Sequence, residues 1–150
     1  MDKKRIILIE KDFNKLRDLI KKNKDKEIIF TSEDDELNRK VIEKLEIKIL
    51  LLKLENRKDF QKQRNSGFNQ VMAKVMKNKK IKLGINLDEL KKSKEKEKII
   101  ARIVQNIKLC NKNKIQMEFI SEKEISKNQK YNLDSLSSVL GMPTWMLKNN

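Results

Sequence analysis

The chain has 150 residues, of which 37 are Lys or Arg and 22 are Asp or Glu, giving a formal charge of +15. This length is typical of one domain and allows a buried core, since a folded chain of this size hides roughly two thirds of its surface. The absence of histidine excludes Ser/His/Asp and Cys/His triads, a histidine general base and every metal site that needs imidazole. The single cysteine, Cys110, excludes an internal disulfide and is expected to be a small buried thiol.

Five apolar runs of strand length alternate with segments whose apolar residues recur at helical spacing. The predicted strands are Ile6–Ile9, Glu27–Thr31, Ile47–Leu54, Ile81–Leu87 and Ile115–Ile120. The predicted helices are Phe13–Ile20 after an Asp12 cap, Leu37–Leu45 after acidic residues 34–36, Ser66–Met76, Ile99–Cys110, and Leu133–Leu140 before Gly141 and Pro143. The charged stretch Lys91–Lys98 is expected to be solvated.

Strands separated by helical segments predict parallel pairing through crossovers, and so an α/β domain with both sheet faces covered. No Gly- or Pro-rich linker divides the chain, so we expect a single domain over residues 1–150. Five units are too few for a complete eight-stranded barrel, which takes about 250 residues. The sheet is therefore expected to be open, partial or completed by a partner.

Several common kinds of site and segment are not predicted. No P-loop or Gly-x-Gly-x-x-Gly pattern is present, so a nucleotide cofactor lacks its usual backbone cradle. The longest apolar stretch, Ile47–Leu54, is interrupted by Lys48 and Lys53, and Met1 is followed by charged residues. We therefore expect neither a membrane span nor a secretion signal, which fits a cytoplasmic protein.

The positive charge is concentrated in the middle of the chain. The first 50 residues carry 14 basic and 12 acidic residues, the next 50 carry 15 and 6, and the last 50 carry 8 and 4. From Lys53 to Lys82, ten basic residues stand against Glu55 and Asp59 alone. When a polyanion binds such a patch, its condensed counterions are released, which makes binding favourable. The patch therefore indicates binding to RNA or DNA. In α/β folds, functional loops follow the carboxyl ends of strands, so residues 56–65 are expected at the functional rim.

Five segments, in order, resemble the archaeal ribonuclease P protein component 3 family. The strongest is QRNSGFNQV at Gln63–Val71, which is similar to the family's hallmark stretch. IKLGINLDEL at Ile81–Leu90 is similar to a strand and loop of the family, and ARIVQNIKLCNKNK at Ala101–Lys114 to its long helix. Weaker matches are FTSEDDELNRKVIEK at Phe30–Lys44 and LGMP at Leu140–Pro143. Together they cover most of the chain from about residue 28 onward.

The resemblance implies a β/α barrel related to metal-dependent phosphoesterases but without their histidine-rich metal site. The first units of the family's barrel are not matched, so we expect an N-terminally shortened, incomplete barrel of about five strands. The implied function is that of a protein subunit of the ribonucleoprotein that removes the 5′ leader of precursor tRNA. The implied partners are the ribonuclease P RNA and protein component 2, as a heterodimer or heterotetramer, with precursor tRNA bound indirectly. Mg²⁺ is expected at the RNA active site, with no cofactor, metal or catalytic residue supplied by the protein.

The resemblance and the charge together give a set of candidate contact residues. We expect RNA or partner contacts from Lys62, Arg64, Asn65, Ser66, Asn69, Gln70, Lys74, Arg102, Asn106, Lys108 and Lys112. Ser66 is also the expected cap of the helix that follows, and Gly67 is expected to allow close approach of another backbone. Arg102 and Asn106 lie beside the apolar stripe of their helix, where hydrogen bonding to neighbouring loops is an equal alternative.

Two other functions remain open at this stage. A generic basic RNA-binding or ribosome-associated α/β module explains the charge without a role in ribonuclease P. A small hydrolase using Asp88 and Glu89 around Mg²⁺ is the third interpretation. The alternative for these two acids is a helix start, where acidic residues are typical. Trp145 is expected either to cover the core or to meet a partner.

Overall fold

The structure is a computed structural model that describes residues 3–147. The strands are β1 Arg5–Leu8, β2 Glu27–Ser32, β3 Ile49–Leu52, β4 Lys82–Asn86 and β5 Met117–Ile120. The helices are α1 Phe13–Lys22, α2 Asp35–Lys44, α3 Gln70–Lys79, α4 Leu87–Lys92, α5 Lys96–Asn113, α6 Lys127–Leu140 and α7 Thr144–Leu147. Each predicted strand is present at its apolar run.

The five strands form one parallel sheet in the order β1-β2-β3-β4-β5. Phe30 in the second strand lies opposite Leu8 on one side and Leu50 on the other. Sequential order with parallel pairing is the arrangement of strands in a β/α barrel. The α/β fold class and the incomplete, barrel-like sheet are therefore confirmed.

Helices pack against one face of the sheet and form the main core. Alternate strand residues such as Phe30, Leu50 and Leu83 point into it and are at most 1% exposed, together with Leu16 and Met76 from α1 and α3. Cys110 is also buried there, as predicted, and burial raises the pKa of its thiol. No helix within residues 3–147 is both long and apolar enough to cross a membrane.

The prediction that helices cover both sheet faces is wrong. The other face carries a separate small cluster of strand side chains only, namely Ile29, Ile49, Leu51 and Ile120, with Ile7 packed beside it. In a barrel the crossovers place every helix outside, and the inner face is filled by the strands' own side chains. Gly84 contributes to this packing, because a Cβ there would lie 3.0 Å from both Ile49 and Leu51.

A charged contact across the inner face shows that the sheet is strongly curved. Arg5 of β1 donates two hydrogen bonds to Glu118 of β5, at 2.6 and 3.1 Å, although these are the two edge strands of the sheet. Arg5 also donates to Glu27 at 3.0 Å, and Lys82 lies 3.7 Å from Glu118. The carboxylate of Glu118 raises the pKa of Arg5.

Several predicted helix boundaries differ from the structure; α6, for example, begins at Lys127 and not at Leu133. The cap of α3 is Asn69, whose side chain accepts from the N–H of Met72 at 3.0 Å, so the helix begins at Gln70. Ser66 is not the cap, because its backbone belongs to the preceding loop. The stretch Lys91–Lys98 is mostly exposed, as predicted, and part of it is helical, since it contains the end of α4 and the first turn of α5.

Candidate nucleic-acid interface

The loop that joins β3 to α3, residues 53–69, leaves the carboxyl end of the sheet and contains much of the basic run. We call it the basic loop. It has no regular secondary structure over most of its length. A loop of this length needs specific anchors to hold one conformation, because each ordered residue loses roughly 1–2 kcal/mol of backbone entropy. Two arginines, Arg57 and Arg102, supply those anchors.

Arg57 holds the inner part of the basic loop. Its side chain is 9% exposed and forms two hydrogen bonds of 2.9 Å with the carboxylate of Asp35 at the start of α2. It also donates to the carbonyl of Lys53 at 2.5 Å and to Asn65 Oδ1 at 3.3 Å. Gly67 lies against the guanidinium with φ of +71°, and a Cβ there would be 2.5 Å from Arg57 Nη2. Gly67 is therefore favoured by its positive φ and by the nearby Arg57 side chain, not by the backbone approach that the sequence predicts.

Arg102 anchors the same loop from the side of α5. Its side chain is 1% exposed and donates to the carbonyls of Leu54 at 2.7 Å and Arg57 at 2.8 Å. It also forms an ion pair of 3.1 Å with Asp59. Buried arginines are tolerated when they are paired and hydrogen-bonded in this way. For Arg102 the structure shows the alternative role, hydrogen bonding to a neighbouring loop.

Asp59 connects the two halves of the basic loop. Its carboxylate accepts from the N–H of Asn65 at 2.9 Å and lies 3.3 Å from the guanidinium of Arg64. The N–H of Asn65, followed by Arg102, holds the pKa of Asp59 below its ordinary value. Gln105 of α5 fixes the outer half as well, since its side-chain amide both accepts from the N–H of Arg64 and donates to its carbonyl.

The tip of the basic loop presents cations and an aromatic ring to solvent. Lys58, Lys62 and Arg64 are exposed, and Phe60 between them is 59% exposed. A hydrogen bond of 3.0 Å from the N–H of Phe60 to the carbonyl of Gln63 closes the turn. Single-stranded bases stack on such rings while neighbouring cations hold phosphates. Sequence reasoning missed Phe60, although an aromatic residue interleaved with basic ones was the available signal.

Other predicted contact residues at the start of α3 have structural partners. Asn65 is half-buried, and its side chain accepts from the N–H of Gly67 at 3.2 Å. Ser66 is buried, with its hydroxyl 3.4 Å from the carbonyl of Phe68. Asn69 is exposed and caps α3. These residues shape the basic loop, and their contact with RNA or a partner stays a prediction.

The remaining predicted contact residues divide into buried and exposed ones. Gln70 forms a reciprocal amide pair with Asn113, at 2.8 and 3.0 Å, which joins α3 to α5. Asn106 is 3% exposed, so it offers almost no surface to a partner. Lys74 on α3 and Lys108 and Lys112 on α5 are exposed. Their contact with RNA or protein is also still a prediction.

A concave cavity of about 800 Å³ lies inside the curved sheet, beside the basic loop. Thr31 on its wall is 4% exposed, and its hydroxyl has no hydrogen-bond partner among residues 3–147. The wall also carries five acidic and four basic residues: Glu33, Lys53, Glu55, Arg57, Lys58, Asp88, Glu89, Lys92 and Glu122. The opposite charges leave this cavity without a strong preference for anions or cations.

Asp88 and Glu89, the two acids of the hydrolase interpretation, are both used as acceptors. Asp88 accepts from the N–H of Glu122 at 2.9 Å and from the hydroxyl of Ser121 at 2.7 Å. Both hydrogen bonds lower the pKa of Asp88, and the one from the Glu122 N–H has the larger effect. Glu89 accepts from the N–H of Leu54 at 2.8 Å, while burial raises its pKa. Within residues 3–147, no group of three or more His, Cys, Asp or Glu side chains is placed to hold a metal ion.

The chain was compared with known proteins at the level of sequence and of structure. No protein-family model and no curated protein sequence matches it. One solved chain with a similar structure comes from the cryo-EM structure of archaeal ribonuclease P with mature tRNA. The TM-score is 0.78 and the identity 23%, over 96% of this chain and 62% of the other. This similarity establishes a shared fold. The match covers 62% of the neighbouring chain's length.

Proposed function

We propose that this chain is a protein subunit of ribonuclease P, the ribonucleoprotein that removes the 5′ leader of precursor tRNA. The RNA carries out the cleavage, with Mg²⁺ held mainly by its own phosphates. The protein corresponds to component 3, pairs with component 2 and acts in the cytoplasm. Its task is to help the RNA adopt its active form, so it needs no catalytic residue of its own.

The observation that carries the proposal is the agreement between the sequence resemblance and the fold. The resembling segments include the end of the basic loop, the start of α3 and most of α5. The structure joins the basic loop and α3 to α5 through Arg102, Gln105 and the pair Gln70–Asn113. The fold is similar to that of a chain in an archaeal ribonuclease P over 96% of this chain. A generic RNA-binding module would explain the charge, but it would explain neither of these two similarities.

The charge supports the physical part of the role. Folding of a large RNA brings phosphates close together, and cations that replace condensed counterions reduce their repulsion. A protein of net charge +15 is suited to this task. It should therefore lower the Mg²⁺ concentration that the RNA needs for activity. An unchanged Mg²⁺ requirement with and without the chain would contradict this step.

The proposal is tested by identifying the RNAs that bind the chain in the cells that encode it. We expect ribonuclease P RNA to be enriched far above ribosomal RNA after purification of the tagged protein. A Lys62→Ala/Arg64→Ala variant should lose part of this enrichment, whereas the control Lys127→Ala/Lys130→Ala on α6 should keep it. Enrichment of ribosomal or unselected RNAs would favour the generic module and refute the proposal.

A further inference from the structure

A second concentration of positive charge lies at the opposite end of the sheet from the basic loop. A cavity of about 840 Å³ opens at the amino ends of β1, β2 and β3, between the last turns of α1, α2 and α3. We call it the amino-end cavity. Among residues 3–147, one acidic residue, Glu46, lines it. The same residues supply eight lining cations, namely Lys3, Arg17, Lys21, Lys24, Lys26, Lys44, Lys48 and Lys79.

Within the part of the chain that the structure describes, these cations form no ion pair, unlike several of those in the basic loop. Among residues 3–147, none of the eight lies within 4 Å of a carboxylate oxygen, so none forms a salt bridge. In the basic loop, by contrast, Lys53, Arg57 and Arg64 are paired with Glu33, Asp35 and Asp59. The larger unneutralised charge is therefore in the amino-end cavity, although seven of its eight cations come from the first 50 residues, which carry 14 basic and 12 acidic residues.

Helix dipoles do not account for this charge. Lysines near a helix carboxyl terminus are favourable because that end carries roughly −0.5 of an elementary charge. The three helix ends at the amino-end cavity thus supply about −1.5, against eight cations and one carboxylate. The excess repels itself in the free protein, and an anionic ligand would remove that repulsion.

Two of the cavity lysines are held in place before any ligand binds. Lys79 Nζ donates to the carbonyls of Ile42 and Leu45 at 2.7 and 2.8 Å, which leaves one of its three N–H groups for another acceptor. Lys26 Nζ donates to Asn23 Oδ1 at 3.2 Å. Side chains that are already ordered lose less entropy on binding, so the site is partly preorganised.

We propose that the amino-end cavity binds the phosphate backbone of structured RNA, as a second contact surface distinct from the basic loop. Spread over several elements, the cations match a row of phosphates better than one small anion. A membrane surface fits less well, because the cavity's apolar residues, Ile20, Ile28, Leu45 and Ile47, are at most 9% exposed and have no side chain free to insert into lipid. With RNA on both ends of the sheet, the protein would bridge two RNA segments. The proposal does not require the ribonuclease P role, since any structured RNA presents the same phosphates.

The test compares two triple variants that change the net charge equally. Lys21→Gln/Lys24→Gln/Lys48→Gln removes three exposed cations of the amino-end cavity, and Lys123→Gln/Lys127→Gln/Lys130→Gln removes three exposed cations near α6. Binding of a labelled RNA duplex is measured by fluorescence anisotropy at several salt concentrations. Urea unfolding first checks that both variants are as stable as the parent chain.

The cavity variant should reduce the salt slope of log K by roughly 0.9 for each phosphate that it no longer neutralises, and weaken binding at about 0.1 M salt at least ten-fold. The α6 variant should weaken it less than about three-fold. Equal losses in the two variants would mean that only net charge matters, and would overturn the proposal. So would an unchanged slope in the cavity variant, or tighter binding of the parent chain to phosphatidylserine vesicles than to RNA. Cleavage of precursor tRNA, which judges the ribonuclease P role, is measured separately.

Discussion

Replacing Arg102 with methionine tests whether this buried arginine holds the basic loop. Methionine keeps much of the apolar volume but removes the donors to Leu54, Arg57 and Asp59, at 2.7, 2.8 and 3.1 Å. Removing one partner of a buried ion pair costs about 3–5 kcal/mol, and each hydrogen bond to a charged group contributes about 1.5–3 kcal/mol. Asp59 is 30% exposed, so water replaces part of what is lost. We therefore expect the free energy of unfolding to fall by about 3 kcal/mol.

The assay is urea unfolding followed by circular dichroism, with thermal unfolding as a second measurement. For a chain of this size, about 3 kcal/mol corresponds to a fall in Tm of roughly 6–12 °C. Arg39→Met is the control, because Arg39 forms an exposed pair with Glu43 one helical turn away and should cost at most about 0.5 kcal/mol.

The position of the damage is as informative as its size. Trypsin should cleave the Arg102→Met variant faster within the basic loop, at Lys58 or Lys62, under conditions where the parent chain is stable. If the variant loses less than about 1 kcal/mol, or if the loop is cut no faster, Arg102 does not anchor it.

Three further predictions concern the basic loop. Gly67→Ala should destabilise the protein by more than about 1 kcal/mol, measured by urea unfolding, because φ is +71° and the Cβ would meet Arg57; an unchanged midpoint would disprove this. Because the folded pKa of Asp59 is below its unfolded value near 3.8, its stabilising effect is complete above that pH and is lost as pH falls through the folded pKa. Asp59→Asn should thus flatten the stability profile below about pH 4, and a profile parallel to the parent's would contradict it. Phe60→Ala should weaken binding to single-stranded RNA by about 1–3 kcal/mol and leave the salt dependence of log K unchanged. Lys62→Ala should instead lower the slope of that salt dependence by roughly 0.7. A lowered slope for Phe60→Ala and an unchanged slope for Lys62→Ala would refute stacking on Phe60.

The sequence was a good guide to the sheet. Apolar runs such as Ile28 to Phe30 and Leu50 to Leu52 are short, rich in branched side chains and separated by helical spacing, which leaves parallel pairing as the available arrangement. The side on which helices pack was not predictable in this way. It depends on whether the sheet closes on itself, and the Arg5–Glu118 contact that shows its curvature joins residues 113 positions apart.

The charged residues were harder to interpret. Arg102 lies beside an apolar stripe, a position equally suited to the rim of a surface and to a buried anchor, and only the carbonyls of the basic loop decide between them. Charge density along the chain pointed to the middle third. The amino-end cavity draws its cations from residues as distant as Lys3 and Lys79, so no window of sequence contains it.

The central claim is that this protein supports an RNA enzyme. The most direct measurement is cleavage of precursor tRNA by the cognate ribonuclease P RNA and component 2 at limiting Mg²⁺, with and without the chain. We predict that the chain accelerates correct 5′ cleavage, that Lys62→Ala/Arg64→Ala loses part of that acceleration, and that Lys127→Ala/Lys130→Ala keeps it. No acceleration by the folded chain, or cleavage by the chain without the RNA, would contradict the claim.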